Sequence, residues 1–327
     1  MQKIFTVRSD EEFNILALAA FRYQLDHNPV YGQFVRALNR PAAGITHYRQ
    51  IPFLPVELFK SNRVYASAGE PEITFRSSGT TGTLPAIHEV ADASLYRSSL
   101  LSGFRHFYGD PGEYLICALV PSAGTNPGSS LAFMVDLLIK ESGRPGSGCY
   151  LNDQPKLAEL LRKAVSDAGI RSPGILLFGL TYALLDFAER YSLPLPGAIV
   201  METGGMKGHR REMVREEVHE FLKQAFGVRV VHSEYGMAEL LSQAYSPGEG
   251  IFRCPPWMKV LIRSVNDPLT WIREGKTGGI SIIDLANQYS CPFIATQDLG
   301  RLFPDGSFEV LGRFDHSDAR GCNLMIS

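Results

Sequence analysis

Residues 198–239 read AIVMETGGMKGHRREMVREEVHEFLKQAFGVRVVHSEYGMAE, and the fold class turns on them. A short apolar run (198–203) ends in a Gly-Gly pair, a helix-length segment with a solvated, highly charged face follows (210–226), and a second apolar run (228–233) closes the unit. The same alternation extends upstream to about residue 73. YLICALV (114–120) and GILLFGL (174–180) read as buried strands, with helix-length segments at 91–107, 129–142, 154–169 and 183–191. Such alternation predicts an α/β fold, a largely parallel sheet covered by helices, with ligands at the carboxyl ends of its strands.

Outward from this core the pattern changes. At the N-terminus Ser9 and Glu12 have capping-box spacing, and apolar residues from Phe13 to Phe21 recur at helical intervals. A second helix fits 30–38, and the two-proline stretch IPFLPVELF (51–59) reads as a packed irregular segment or a short helix entered through Pro55. After Gly248 the helices stop. MKVLIRS, GGISIID, PFIATQD and the hairpin FPDGSFEVLGRFD, turning at Asp305-Gly306, predict a small antiparallel sheet or barrel. Two regions are expected: an α/β core over 1–247 and a β-rich subdomain over 248–327.

Composition narrows the function. The 327 residues are 45% hydrophobic and 20% charged, enough to bury a large core. Lys+Arg 32 against Asp+Glu 34 leaves a net charge of -2, with no basic excess to neutralise a nucleic-acid backbone. No apolar run approaches the roughly 18 residues of a membrane span, and acidic residues interrupt the N-terminus where a signal peptide needs its apolar stretch, so a cytoplasmic protein is expected. Five scattered cysteines show no CxxC or Cys/His cluster, so reduced thiols are expected. His88, His209, His232 and His316 lack metal-ligand spacing and read as structural.

Five segments carry chemistry. Ser77, Ser78, Gly79, Thr80, Thr81 and Gly82 form a glycine-hydroxyl run able to hold phosphate oxygens, though it is not a Walker A loop, since Thr83-Leu84-Pro85 replaces the lysine. Gly204-Gly205 make a strand-to-helix turn. Tyr235 offers a ring that can stack on a purine, and Glu239 a carboxylate that can assist Mg²⁺. Asp298 in TQDLGR and Arg313 in GRFD can meet ribose hydroxyls and phosphate. Each alone has a bland explanation: a surface loop, a tight turn, a packed tyrosine, a salt bridge.

In order, SSGTTG, Gly-Gly, YGMAE, TQDLGR and GRFD across residues 76–315 resemble the adenylate-forming superfamily of acyl-CoA synthetases, peptide-synthetase adenylation domains and luciferases. Within it the chain is most similar to acyl-protein synthetases, the synthetase component of luminescence-type fatty acid reductases, with phenylacetate-CoA ligases further off. The resemblance implies a large N-terminal-type adenylate-forming domain with a small antiparallel β subdomain, using ATP and Mg²⁺ to turn a carboxylic acid, expected to be a fatty acid, into acyl-AMP. It implies phosphate binding by Ser77 through Gly82, adenine lined by Gly204 and Gly205 and stacked by Tyr235, Mg²⁺ assisted by Glu239, ribose held by Asp298, and Arg313 beside it.

Two departures accompany the resemblance. The phosphate loop lacks the superfamily's lysine, and the chain ends at Ser327, where two-domain relatives continue into a smaller mobile domain with a catalytic lysine. The expectation is a chain without that domain, with Lys207, Lys259 or Lys276 as candidate substitutes. Acyl-protein synthetases accept the acyl group on a cysteine near the C-terminus, and Cys322 fits that position. An acyl-CoA-reductase-like protein is then the implied partner. The rivals are an acyl- or aryl-CoA ligase core completed by another chain, and an inactive nucleotide-binding regulatory subunit.

Overall fold

In a computed structural model of the chain, residues 2–39, 41–77, 84–167, 174–205, 210–211 and 213–314 are described. Helix α1 (Asp10–His27) opens as the capping pattern predicts, with one change. Ser9 Oγ accepts the Glu12 N–H at 3.1 Å, but the Glu12 carboxylate takes the N–H of Arg8 at 2.8 Å rather than that of Ser9. Helix α2 (Pro29–Ala37) starts on a proline, and Asn28 Oδ1 accepts the Tyr31 N–H. The two-proline stretch becomes a two-residue strand, β1 (Leu54–Pro55), and a single turn, α3 (Leu58–Ser61). Strands β2 (Ile73–Arg76) and β3 (Ile87–Val90) form an antiparallel hairpin.

The chain then alternates through α4 (Ala93–Tyr108), β4 (Tyr114–Leu119), α5 (Ser130–Ser142), β5 (Gly148–Cys149), α6 (Gln154–Ser166), β6 (Gly174–Leu180), α7 (Thr181–Tyr191), β7 (Ile199–Thr203), α8 (Arg215–Phe226), β8 (His232–Tyr235) and β9 (Ala244–Ser246). The six strands order as β5-β4-β6-β7-β8-β9, all parallel except β9. Both faces are covered, which is why β4 and β6 are continuous apolar runs. Tyr96 of α4 stacks on Phe133 of α5, and Phe187 of α7 stacks on Phe226 of α8. Two boundaries differ from expectation. Helix α8 begins at Arg215, and the run 228–233 reaches the sheet only at its end: Gly227 closes α8 with φ 63°, Arg229 and Val230 stay exposed, and pairing with β7 begins at His232.

The remaining strands, β10 (Ile251–Phe252), β11 (Met258–Arg263), β12 (Thr277–Asp284), β13 (Phe293–Leu302) and β14 (Phe308–Arg313), form the expected antiparallel sheet in the order β10-β14-β13-β12-β11. Gly306 takes φ 81° at the β13–β14 turn, a conformation glycine adopts without steric cost. One edge of β13 serves two partners. Ile294 and Ala295 pair in parallel with Leu54 and Pro55 of β1, and Asp298 to Leu302 pair with β14. Helices α1 and α2 lie against this sheet, with Asn28 Nδ2 donating to Ser290 O (2.9 Å), Gln24 Nε2 to Gln288 O (2.7 Å), and Tyr31 packed 6.0 Å from Phe293.

A buried acid links the layers. Asp284 at the end of β12 is fully buried and accepts from Leu241 N (2.8 Å), Ser242 N (2.9 Å), Ser242 Oγ (2.6 Å) and Ala286 N (3.1 Å). Ser242 Oγ also meets Ser99 of α4 and the Trp257 indole N–H, so the antiparallel sheet, the segment after Glu239 and the helical layer share one hydrogen-bond network.

Candidate active site

The carboxyl ends of β7 and β8 lie side by side. Their register pairs Thr203 with Glu234, so the residues that follow, Gly204 and Tyr235, emerge together. Gly204 has φ 77°, and among the described residues no atom lies within 4 Å of a Cβ built on Gly205. Tyr235 is held edge-on by Phe252 and Phe308 and donates its hydroxyl to Asp298 Oδ2 at 2.7 Å. Arg313, opposite Asp298 in the β13–β14 register, places Nε 3.3 Å from Oδ1. Tyr235, Asp298 and Arg313, far apart in sequence, therefore form one contact set across the two sheets.

Burial raises the pKa of Asp298, while the Tyr235 hydroxyl and the charges of Arg313 and Arg263 pull it back. Glu239 is 6% exposed; burial raises its pKa too, opposed by its own backbone N–H and by Arg313. Arg263 adds a further positive charge acting on Asp298 without touching it. It is buried, donates to Ile280 O and Thr296 O at 2.5 Å each, and fills the space above Gly279, which leaves no room for a side chain there.

Ser77 extends the β2–β3 hairpin: its N–H donates to Ala86 O (3.0 Å) and its Oγ accepts the Ala86 N–H (2.8 Å). Ser78, Gly79, Thr80, Thr81 and Gly82 lie outside the described residues. The hairpin is docked on the Tyr235 to Glu239 segment by His88. Its Nδ1 is 2.7 Å from Ala238 O and its Nε2 3.0 Å from Asn287 Oδ1. Asn287 Nδ2 donates to Glu239 O and Cys291 O, which fixes Oδ1 as the acceptor facing the ring. Both imidazole nitrogens thus face acceptors, and a neutral ring has one N–H to give.

Burial pushes the His88 pKa down to about 4 from 6.5, against the two hydrogen bonds and Glu89, which raise it. Below pH 6.5 the unfolded chain takes up a proton that the folded chain resists until about pH 4, so stability falls as pH drops through that window and is unaffected by this group above it. The gap corresponds to on the order of 3 kcal/mol. Urea unfolding of the parent and of His88→Gln should converge in pH dependence above 6.5 and separate steadily from 6.5 to 4, the variant losing less; parallel curves would show that His88 does not enter the folded state neutral.

Sequence reasoning passed over a second set of polar residues at the same strand ends. Glu202, on the α8 side of β7, accepts the Thr181 hydroxyl at 2.7 Å and lies 3.6 Å from His219 Nε2. Burial works to raise its pKa, but hydrogen bonds from His219, Ser233 and Thr181 outweigh it and leave it lowered. On the opposite face Thr203 donates its hydroxyl to Glu234. Burial, with the charge of Glu202, raises Glu234 to about 7 against that hydrogen bond. The available signal was a Glu near the end of one apolar run (198–203) and another directly after the second (228–233), where an ionisable group beside buried strand residues needs a reason.

Solved structures similar to the chain include an ATP-bound RpMatB-BxBclM chimera (TM-score 0.56, 16% identity, 76% of this chain and 50% of that one) and ATP-bound MatB from Rhodopseudomonas palustris (0.53, 15%, 76% and 50%). A third is an open conformation of 2-hydroxyisobutyryl-CoA ligase in complex with 2-HIB-AMP and CoA (0.67, 13%, 94% and 70%). The chain has the fold of the N-terminal domain of adenylate-forming enzymes. It spans about half the length of the first two structures and 70% of the third. No family model and no curated protein sequence matches it.

Within this fold the other expected residues are placed as follows. Cys322 and Lys207 lie outside the described residues. Lys259 is not at the site: its Nζ is 2.9 Å from Asp10 Oδ1, on the side of the antiparallel sheet where α1 packs. Among the described residues no group of His, Cys, Asp or Glu is arranged to hold a metal ion by itself. Glu239 suits the lesser task of a Mg²⁺ carried by nucleotide phosphates, which needs one or two protein carboxylates beside phosphate and water oxygens. It is buried, near Arg313 and Asp298, and uncompensated by any direct ion pair among the described residues. Among those residues no helix is long and apolar enough to cross a membrane.

Proposed function

We propose that the chain activates a carboxylic acid with MgATP. A carboxylate oxygen attacks the α-phosphorus, the bond to the bridging oxygen breaks, pyrophosphate leaves, and acyl-AMP remains. Asp298 accepts hydrogen bonds from the ribose hydroxyls, Tyr235 stacks on the adenine beside Gly204 and Gly205, residues 77–82 enclose the β- and γ-phosphates, and Arg313 adds positive charge near the ribose. Glu239 holds the Mg²⁺ that offsets phosphate charge. The observation that carries this is the Tyr235–Asp298–Arg313 contact set at strand ends in a fold shared with ATP-bound and acyl-adenylate-bound ligases.

The acyl group then moves to a thiol. As in the acyl-protein synthetases the sequence resembles, the thiolate of Cys322 attacks the carbonyl of acyl-AMP, AMP leaves, and a thioester forms on the protein. The described cysteines are poor candidates: burial pushes Cys117, Cys149, Cys254 and Cys291 each up to about 12, so little thiolate is present at neutral pH. Coenzyme A is the competing acceptor, favoured by the similarity to a CoA ligase holding 2-HIB-AMP and CoA. An acyl-CoA-reductase-like protein is the proposed receiver of a Cys322 thioester.

Intact-mass measurement after incubation with MgATP and a panel of acids decides between acceptors. A hydroxylamine-labile addition of one acyl group, absent in Cys322→Ser, is the expected result. Acyl-CoA formed by both proteins when CoA is supplied, with no mass added to either, would assign the acceptor role to CoA.

A further inference from the structure

Arg263 closes β11 and is 9% exposed, yet among the described residues no carboxylate bonds to it. Its hydrogen bonds go to neutral oxygens: Nη1 to Ile280 O (2.5 Å) and Ser281 Oγ (3.3 Å), Nη2 to Thr296 O (2.5 Å). A buried guanidinium held this way exchanges its solvation for dipoles alone, and a hydrocarbon side chain would join the strands at less cost. Burial lowers its pKa, against Glu57, Asp298 and Tyr235, which raise it. Cross-linking the sheet is therefore a poor account of a charge at this position.

The placement of its partners gives a better one. Thr296 stands two residues before Asp298, and its Oγ1 accepts the Asp298 N–H at 3.0 Å. On the other side, Arg263 Cζ lies over the Phe314 ring, 5.5 Å from the centroid. Phe314 directly follows Arg313 and donates its N–H to Gln297 O at 2.8 Å. One guanidinium thus bonds to the backbone just before Asp298 and carries the ring just after Arg313. A planar fork of donors whose charge also attracts an aromatic face suits that double task.

The ring contact matters because little else holds the end of β14. Its pairing with β13 is irregular between Leu299 and Gly300 and resumes only as Leu299 with Gly312 and Asp298 with Arg313. Leu311, Gly312 and Arg313 are all exposed, so core packing does not keep Arg313 beside Asp298.

We propose that Arg263 is a positioning residue for nucleotide binding: by seating Phe314 it fixes the end of β14 and keeps Arg313 beside Asp298. This rests on the nucleotide-binding roles proposed above for Asp298 and Arg313, and adds a residue that lies outside the five motifs.

The test is MgATP binding by calorimetry, which needs no acid, with a melting curve for each variant. Phe314→Ala should weaken binding by about tenfold, roughly the worth of one charge-assisted contact, and Phe314→Tyr should restore it. Two double-mutant cycles then decide. Added to Arg263→Met or to Arg313→Ala, the Phe314→Ala change should cost less than about twofold, because the ring acts only through those two residues. If Arg263→Met does not fold, the cycle with the exposed Arg313 decides alone. The full tenfold loss in either background, or a Phe314→Ala variant that binds like the parent, overturns the positioning role while leaving the nucleotide site in place. A parent that does not bind MgATP overturns the proposed function and this role with it.

Discussion

Replacing Asp298 by alanine should lower ATP–pyrophosphate exchange by about a hundredfold or more, the largest effect on activity expected of any described residue. Two hydrogen bonds from ribose hydroxyls to a carboxylate are worth about 1.5–3 kcal/mol each, and every 1.4 kcal/mol is a factor of ten. The carboxylate also fixes Tyr235, whose hydroxyl is 2.7 Å from Oδ2, and Arg313, whose Nε is 3.3 Å from Oδ1, so the substitution loosens the proposed adenine platform as well. Asp298→Asn should fall between the parent and the alanine variant, because its amide can accept from one neighbour but turns a donor toward the other. Nucleotide binding by calorimetry, alongside a melting curve for each variant, separates lost contact from lost fold. Exchange within about threefold of the parent for a well-folded Asp298→Ala would sink the ribose assignment.

Asp284→Ala should cost the most stability, on the order of 4 kcal/mol. The substitution leaves three backbone N–H groups and the Ser242 hydroxyl without their acceptor inside a buried interface. That is a large fraction of the total for a domain whose net stability is typically about 5–15 kcal/mol. The damage is also directional. Leu241 and Ser242 lie two and three residues after Glu239, so their release should appear as faster hydrogen exchange over residues 236–244 before global unfolding. A variant with unchanged urea midpoint would show that the four donors find other partners.

How far these features were legible in the sequence depended on whether a residue's reason lay in its own neighbourhood. Strand β6 matches GILLFGL because a run buried on both faces needs no partner to be identified. Helix α5 starts one residue after Ser129, whose side chain accepts the Ala132 N–H, a cap written in local chemistry. The order of the motifs pointed to the strand ends that the fold brings together at Tyr235, Asp298 and Arg313. What the sequence could not show is pairing at a distance. Strand β1 is two residues long and exists only because β13 offers it an edge. His88 read as an ordinary structural histidine, and nothing near it in sequence announces Ala238 or Asn287. Glu202, within one apolar run, and Glu234, directly after another, were passed over, since periodicity marks where a strand lies and is silent on why a carboxylate is buried in it.

The two-residue strand β1 has a consequence for synthesis of the chain. Leu54 and Pro55 find their partners at Ile294 and Ala295, and the faces of α1 and α2 that carry Phe13, Phe21 and Tyr31 are covered by the same late-made sheet. At about 5–20 residues per second, the ribosome delivers that partner on the order of tens of seconds after the helices emerge. During that interval the N-terminal segment presents uncovered aromatic surface to solvent. Its yield in a cell should therefore depend on holding chaperones during elongation more than on the stability of the finished fold.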